Sequence, residues 1–303
     1  MNNKPPPFND DRLRPEAMLP KPFSSLIDVD VFAMSDKGLV RSTNEDHYLV
    51  IRGGRAMETV FTSLTDHAGD LFEETAYGFI VADGVGGEPG GEVASRQAIF
   101  TLLNLALRTP DWQFRWGPEQ RKTVMRRMQD RFRRVNAALV QQATAHASLN
   151  GMCTTMTVAL SHGKCLIIGH MGDSRAYLLH NKKLQRLTRD HTIAERLLEE
   201  GINPANDQLL NQLRNVLMQA LGGPECECKP DTQDYFLEDG DQLLLCTDGL
   251  TDMVPEDEIE IVLQTSESAQ SACRSLVNLA LSSGGCDNIT AIVARYSIPQ
   301  LQS

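Results

Sequence analysis

The sequence predicts an α+β domain in which antiparallel sheets are layered against pairs of helices. Short apolar runs recur along most of the chain, several are separated by hairpin-sized turns, and two pairs of long helical patterns lie among them.

Strands are predicted over 27–34, 48–51, 77–82, 156–160, 165–170, 176–179, 242–246 and 289–296. Ser161-His162-Gly163 and His180-Asn181-Lys182 are hairpin-sized links, and such short links join antiparallel strands, because parallel ones need a long crossover. The first helix pair is predicted over 92–108 and 119–147. In its second member Val124, Met128, Phe132, Val135 and Leu139 recur at spacings of three and four, marking one buried face. The same helix carries Arg121, Lys122, Arg126, Arg127, Arg131, Arg133 and Arg134, read as a solvated face balanced by acidic neighbours. The second pair is predicted over 256–264 and 268–283. Between the β regions, a helix over 193–200 ends at Gly201, and an Asn-rich stretch leads to a further helix over 211–220. The stretch 53–74 is too long for a hairpin turn and reads as a loop or insertion between neighbouring strands.

The domain is expected to span 27–297. Before it, 1–26 reads as a disordered leader, with Pro5, Pro6, Pro7, Pro15, Pro20 and Pro22 and no apolar periodicity; 298–303 form a tail. A formal net charge of -11 argues against general affinity for nucleic acid or anionic membranes. The seven cysteines lie mostly in apolar runs, as reduced thiols do, and Cys226 and Cys228 have no second pair to complete a zinc site. With no apolar run of roughly 20 residues and no signal-peptide pattern, the chain is expected in the cytoplasm, as a monomer.

Carboxylates stand beside glycine or asparagine at Asn44-Glu45-Asp46, Asp83-Gly84, Asp248-Gly249 and Asp287-Asn288, and the last three abut apolar runs. Each alone is an ordinary turn carboxylate. Converging at strand ends they would repel one another unless a cation held them, and Mg²⁺ or Mn²⁺ takes such oxygen ligands while keeping several waters. Two such ions about 4 Å apart can share one aspartate and activate water for attack on phosphorus. Asp83-Gly84-Val85-Gly86-Gly87 turns sharply and can offer the Gly84 carbonyl as a ligand, but lacks the Lys-Ser/Thr of a nucleotide-binding loop. Arg41 is suited to bidentate contact with phosphate.

The order Asp36-x-Gly38-x-x-Arg41-x-x-Asn44-Glu45-Asp46, Ala82-Asp83-Gly84-x-Gly86-Gly87, Gly172-Asp173-Ser174-Arg175, Thr247-Asp248-Gly249-Leu250-x-Asp252 and Asp287-Asn288 resembles the PP2C family of metal-dependent protein phosphatases. Thr154-Thr155, 187–192 and 220–222 agree with it. The resemblance implies a four-layer αββα sandwich with a binuclear site of two Mn²⁺ or Mg²⁺ ions at one end. It implies that Asp83 bridges the metals, that Asp248 and Asp287 ligate one, and that the Gly84 carbonyl and Glu45 serve the other. Asp46 would support metal-bound water, and Arg41 would hold the phosphate. In bacterial relatives a third, weaker metal is associated with the positions of Asp173 and Asp248, which Asp252 would join; the alternative for Asp173 is a turn carboxylate paired with Arg175. The stretch 190–221 matches the family's variable flap.

The resemblance implies hydrolysis of phosphoserine or phosphothreonine in a phosphorylated protein, the target of a Ser/Thr kinase, by direct attack of water. Many eukaryotic members carry a histidine after the Asp-Gly pair where this chain has Val85, so the source of the departing group's proton stays open. His47 reads as structural. Two alternatives remain: a catalytically silent protein that binds a phosphoprotein or kinase, and another carboxylate-metal phosphohydrolase such as a nuclease.

Overall fold

The computed structural model describes residues 23–58, 71–85, 90–108, 117–202, 212–223 and 228–300. In chain order these form β1 (Asp28–Asp36), β2 (His47–Glu58), β3 (Leu71–Ala82), β4 (Gly84–Val85), α1 (Gly90–Leu107), α2 (Pro118–Ala145), β5 (Cys153–Thr154), β6 (Met156–His162), β7 (Cys165–Met171), β8 (Arg175–His180) and β9 (Lys183–Arg186). There follow α3 (Ile193–Glu199), β10 (Asp231–Phe236), β11 (Gln242–Cys246), α4 (Asp248–Thr251), α5 (Glu256–Thr265), α6 (Ala269–Ser282) and β12 (Ile289–Ser297).

The strands build two five-stranded antiparallel sheets, ordered β1-β12-β11-β8-β9 and β10-β7-β6-β3-β2, plus the small pair β4-β5. Side chains alternate across each strand with period two, so every central strand feeds two cores. In β3, Phe79 and Val81 face the opposite sheet while Ile80 and Ala82 face helices; in β11, Leu243 and Leu245 face inward while Leu244 and Cys246 face out. One outer core joins the β3 sheet to α1 and to Met128, Phe132, Val135 and Leu139 of α2. The other joins the β11 sheet to Ile259 and Leu263 of α5 and Leu276 and Val277 of α6. These are the four layers the resemblance implied.

The hairpin β8-β9 turns on Asn181 and Lys182, both with positive φ, at the predicted link. On α2, Lys122 pairs with Glu119 at 3.0 Å and Arg133 with Asp130 at 2.8 Å, as a balanced solvated face would, whereas Arg121 is largely buried against β10, where it pairs with Asp234 at 2.7 Å.

Several expectations change. Within 53–74, Gly53–Glu58 and Leu71–Glu74 are not loop but the paired extensions of β2 and β3. Arg55 opposes Glu74 and joins it at 2.7 Å, and a Cβ on Gly54 would lie 2.5 Å from the Glu74 carbonyl. Charged and glycine positions hid this strand from an apolar-periodicity reading. Residues 59–70 lie outside the described residues. Of the helix expected over 211–220, the described residues 212–220 are helical only at 212–214. Beyond it the backbone leaves to bond elsewhere, with Val216 accepting from Ile193 N, Met218 donating to His191 O and Leu221 exchanging bonds with Thr154. β9 and β10 went unread because they are short, charged edge strands. Phe23–Leu26, assigned to the leader, is a 3₁₀ turn whose Ser24 hydroxyl accepts from Thr75 N; residues 1–22 and Cys226 lie outside the described residues.

Gly169 of β7 leaves the space into which Met128 and Phe132 press. Truncating the fully buried Phe132 to alanine is expected to cost about 3–5 kcal/mol, read as a lower urea midpoint with an unchanged transition slope.

Candidate active site

Strand pairing brings the predicted segments together. β11 and β12 run antiparallel with Cys246 opposite Ala291, and Thr247 N bonds Thr290 O, so Asp248 after β11 meets Asp287 before β12. A Cβ on Gly249 would lie 2.0 Å from the Asn288 carbonyl oxygen, so only glycine permits this approach. Asp83 leaves β3 of the facing sheet. Its N–H donates to Thr155 Oγ1 at 3.0 Å, and its carbonyl accepts from Thr154 Oγ1 at 2.7 Å and from Thr155 N at 2.9 Å. Thr155 Oγ1 in turn lies 2.7 Å from Ser174 Oγ, tying Asp83 to the Gly172-Asp173-Ser174 turn.

Asn288 anchors the segment that carries Arg41 and Glu45. Its side-chain oxygen accepts from Glu45 N, and its amide donates to the carbonyls of Lys37 and Thr43, each at 2.8 Å. Gly38, at φ +78° with its N–H on Asp36 Oδ1, packs against the Asp287 backbone. Arg41 then reaches Asp287 Oδ2 at 2.6 Å. Asp46 is buried, with Oδ2 accepting from Thr247 Oγ1 at 2.8 Å. A Cβ on Gly91, at the start of α1, would fall 1.9 Å from Glu45 Oε2 and 2.8 Å from the Gly84 carbonyl oxygen, so these two oxygens share one small cradle.

A cavity of about 380 Å³ is lined by Arg41, Glu45, Asp83, Gly84, Asp248 and Asp287. A second, of about 580 Å³, adjoins it and contains Asp252, Asp190 and Arg214; Asp173, Asn215 and Asp248 line both. All nine predicted site residues therefore lie in or directly behind one continuous cleft. Arg175 does not pair with Asp173 as the alternative supposed: it forks onto Asp190, at 2.7 Å through Nη2, and Arg186 holds Asp190 as well. His47 bonds Ser95 at 2.9 Å, the structural role expected of it. No histidine lines either cavity among the described residues, and Val85 pairs with Cys153 in the small sheet.

The electrostatics are those of an anionic site short of countercharge. Burial, partly opposed by hydroxyl hydrogen bonds, lifts Asp46 to about 7; burial, then Asp252 and Asp287, lifts Asp248 to about 6. Burial, then Asp46 and Asp248, pushes Asp83 well above the carboxylate range, and burial with Asp248 and Asp190 does the same to Asp173. Asp46 Oδ1 and Asp248 Oδ1 are buried without a hydrogen-bond partner among the described residues. Among those residues no group of three Asp, Glu, His or Cys side chains is gathered closely enough to hold a metal as it stands, and Asp287 is drawn to Arg41 instead. The donor set is nonetheless all oxygen, with two orphaned carboxylate oxygens and a carbonyl cradle, which fits a hard divalent cation.

The profile of the family described as Protein phosphatase 2C matches residues 65–282. The chain belongs to the protein phosphatase 2C family. The serine/threonine phosphatase stp of Listeria welshimeri is 35% identical over 221 residues, covering 73% of this chain and 85% of that protein. The crystal structure of the Mycobacterium tuberculosis serine/threonine phosphatase PstP/Ppp superposes with a TM-score of 0.70 at 32% identity, covering 89% of this chain and 99% of that one. A structure of the PstP catalytic domain in complex with 2 manganese ions superposes with a TM-score of 0.68 at 32% identity, over the same shares of the two chains. This protein phosphatase 2C member thus shares its two-sheet fold with solved relatives. No helix of its described residues is long and apolar enough to cross a membrane.

Sequence reasoning missed the supports of the site. Asn288 was quoted only as the neighbour of Asp287, yet a buried asparagine beside a strand start is what fastens a loop. Gly91 and Ser95 carried a weaker signal, small residues opening a helix. Asn215 and Leu217, which line the smaller cavity, were covered only by the match of 190–221 to the family's flap and not picked out singly, because they reach the cavity from a distant segment.

Asn288→Ala removes one acceptor and two donors from partly buried backbone groups; it is expected to cost about 2–4 kcal/mol of stability and to lower kcat/KM, with Asn288→Asp intermediate, checked by urea denaturation and steady-state kinetics. Burial lowers His170, bonded to Thr157 and the Arg189 carbonyl, from 6.5 to about 3. The folded state then binds fewer protons than the unfolded chain, so this contribution is complete above pH 6.5 and lost as pH falls toward about 3. Unfolding free energies from urea titrations run from pH 7.5 down should decline for the wild type and less steeply for His170→Gln, by up to about 1.4 kcal/mol per pH unit.

Proposed function

We propose that this protein phosphatase hydrolyses phosphoserine and phosphothreonine in proteins, using residues 27–297 as one catalytic domain. The observation that carries this reading is the convergence of Asp83, Asp248 and Asp287 from two sheets on one cleft that also contains Arg41. Asp83, Asp248, Asp287, Glu45 and the Gly84 carbonyl would hold two Mn²⁺ or Mg²⁺ ions, and Asp173 with Asp252 a weaker third. When bound, such ions offset the charge of a phosphoryl group and make water a stronger nucleophile at neutral pH.

The chain's own residues supply the rest. Arg41 stands at the cavity mouth, half exposed, with a planar fork matched to two phosphate oxygens. It can add positive charge where negative charge develops at phosphorus. Asp46, held by Thr247, keeps its buried Oδ1 without a hydrogen-bond partner among the described residues, and that oxygen can accept a proton from water. With no histidine in the lining, proton delivery to the departing serine or threonine oxygen falls to water or to a carboxyl group kept protonated by burial. The overall charge of -11 disfavours a nucleic-acid substrate.

Purified protein should cleave p-nitrophenyl phosphate and a phosphothreonine peptide with Mn²⁺ or Mg²⁺, and lose that activity in excess EDTA. Full turnover in EDTA would refute the reading. Asp248→Asn should abolish turnover while leaving the far-UV circular dichroism unchanged, and a fully active Asp248→Asn would displace the ligand assignment. A chain that binds the phosphopeptide without cleaving it at any metal concentration would be a silent binder instead.

A further inference from the structure

The segment 187–192 belongs to the sequence landmarks, yet the reaction as described uses none of its atoms. Within it, His191 is nine-tenths buried and every hydrogen-bonding group it has is engaged. Its N–H donates to the Gly172 carbonyl at 2.7 Å, and its carbonyl accepts from Met218 N at 2.7 Å. The ring adds two more bonds, Nδ1 to Gly172 N at 3.2 Å and Nε2 to Asp231 Oδ2 at 3.1 Å.

The tautomer follows from the partners. A backbone N–H only donates, so Nδ1 must be the acceptor and the ring proton sits on Nε2, directed at Asp231. Gly172 has φ +115°, and a Cβ there would lie 2.5 Å from Thr155 Cβ, so the turn that aims Asp173 is glycine-dependent and tightly fitted. Met218 closes the segment whose Asn215 and Leu217 line the smaller cavity, as Arg41 does. One residue therefore links the two, its ring and N–H holding the Gly172-Asp173 turn and its main-chain carbonyl holding Met218.

We propose that His191 is a positioning residue that couples segment 212–218 to the Gly172-Asp173 turn, so that the substrate-facing wall and Asp173 are set together. The proposal rests on the phosphatase reading for its effect on turnover, but the coupling itself does not require turnover. The bond that matters is the one from Gly172 N to the ring. Without it a buried donor is stranded, the turn relaxes, and the wall hung on the same residue loosens with it.

Asparagine can place an acceptor where Nδ1 is but cannot reach Asp231; glutamine can reach toward Asp231 but does not reproduce Nδ1. His191→Ala, His191→Asn and His191→Gln therefore separate the two ring bonds. Hydrogen–deuterium exchange should quicken together at 172–173 and 212–218 in the Ala and Gln variants and stay near wild type in Asn. KM for a phosphothreonine peptide should rise about tenfold in Ala and Gln, while KM for p-nitrophenyl phosphate stays within about twofold and Asn restores both. Rescue by Gln as good as by Asn overturns the proposal, as does unchanged exchange at 212–218. A parallel loss on both substrates that tracks a lower thermal midpoint overturns it too, since a merely structural role gives that result. A wild-type chain that cleaves neither substrate would refute the phosphatase reading, and the exchange comparison would still decide the coupling.

Discussion

The site depends on carboxylates held out of water within reach of one another's charge. Asp83, Asp248, Asp46 and Asp173 all have their ionised forms disfavoured, by burial first and by each other second. Such an arrangement costs stability unless protons or cations enter it. A fold keeps it only by fixing the backbone on every side, and the rest of the architecture does so.

The fixing is done by neutral groups. Thr155, Thr247 and Asn288 spend their side chains on the backbone or carboxylates of the site, and Gly38, Gly84, Gly91 and Gly249 allow backbones to approach where any Cβ would collide. Neutral donors orient carboxylates without cancelling the charge that a cation would meet. Arg175 and Arg186 instead saturate Asp190 in the larger cavity, leaving Asp173 outside that ion-pair network. Arg41, half exposed, sets its charge against Asp287 at the edge of the smaller cavity.

Much of the fold was legible because its strands obey period two and its long helices present an apolar stripe. Where burial did not dictate the pattern, the reading failed: the polar extensions of β2 and β3, and the edge strands β9 and β10, are held by ladder bonds that leave no apolar trace. The helix expected over 211–220 failed for another reason. Its propensity was overridden by backbone bonds to His191, Ile193 and Thr154, residues remote in sequence.

By itself the sequence determined which side chains stand at the cleft, since motif order and the carboxylate-glycine pairs name Asp83, Asp248, Asp287 and Arg41, and strand ends are local features. The tertiary structure alone decided how they meet: the β11-β12 register that sets Asp248 against Asp287, the facing sheet that delivers Asp83, and the return of 212–218 onto His191. Those relations join residues far apart in the chain. They are fixed by interlocking backbones and buried hydrogen bonds, which no local pattern of residue types encodes.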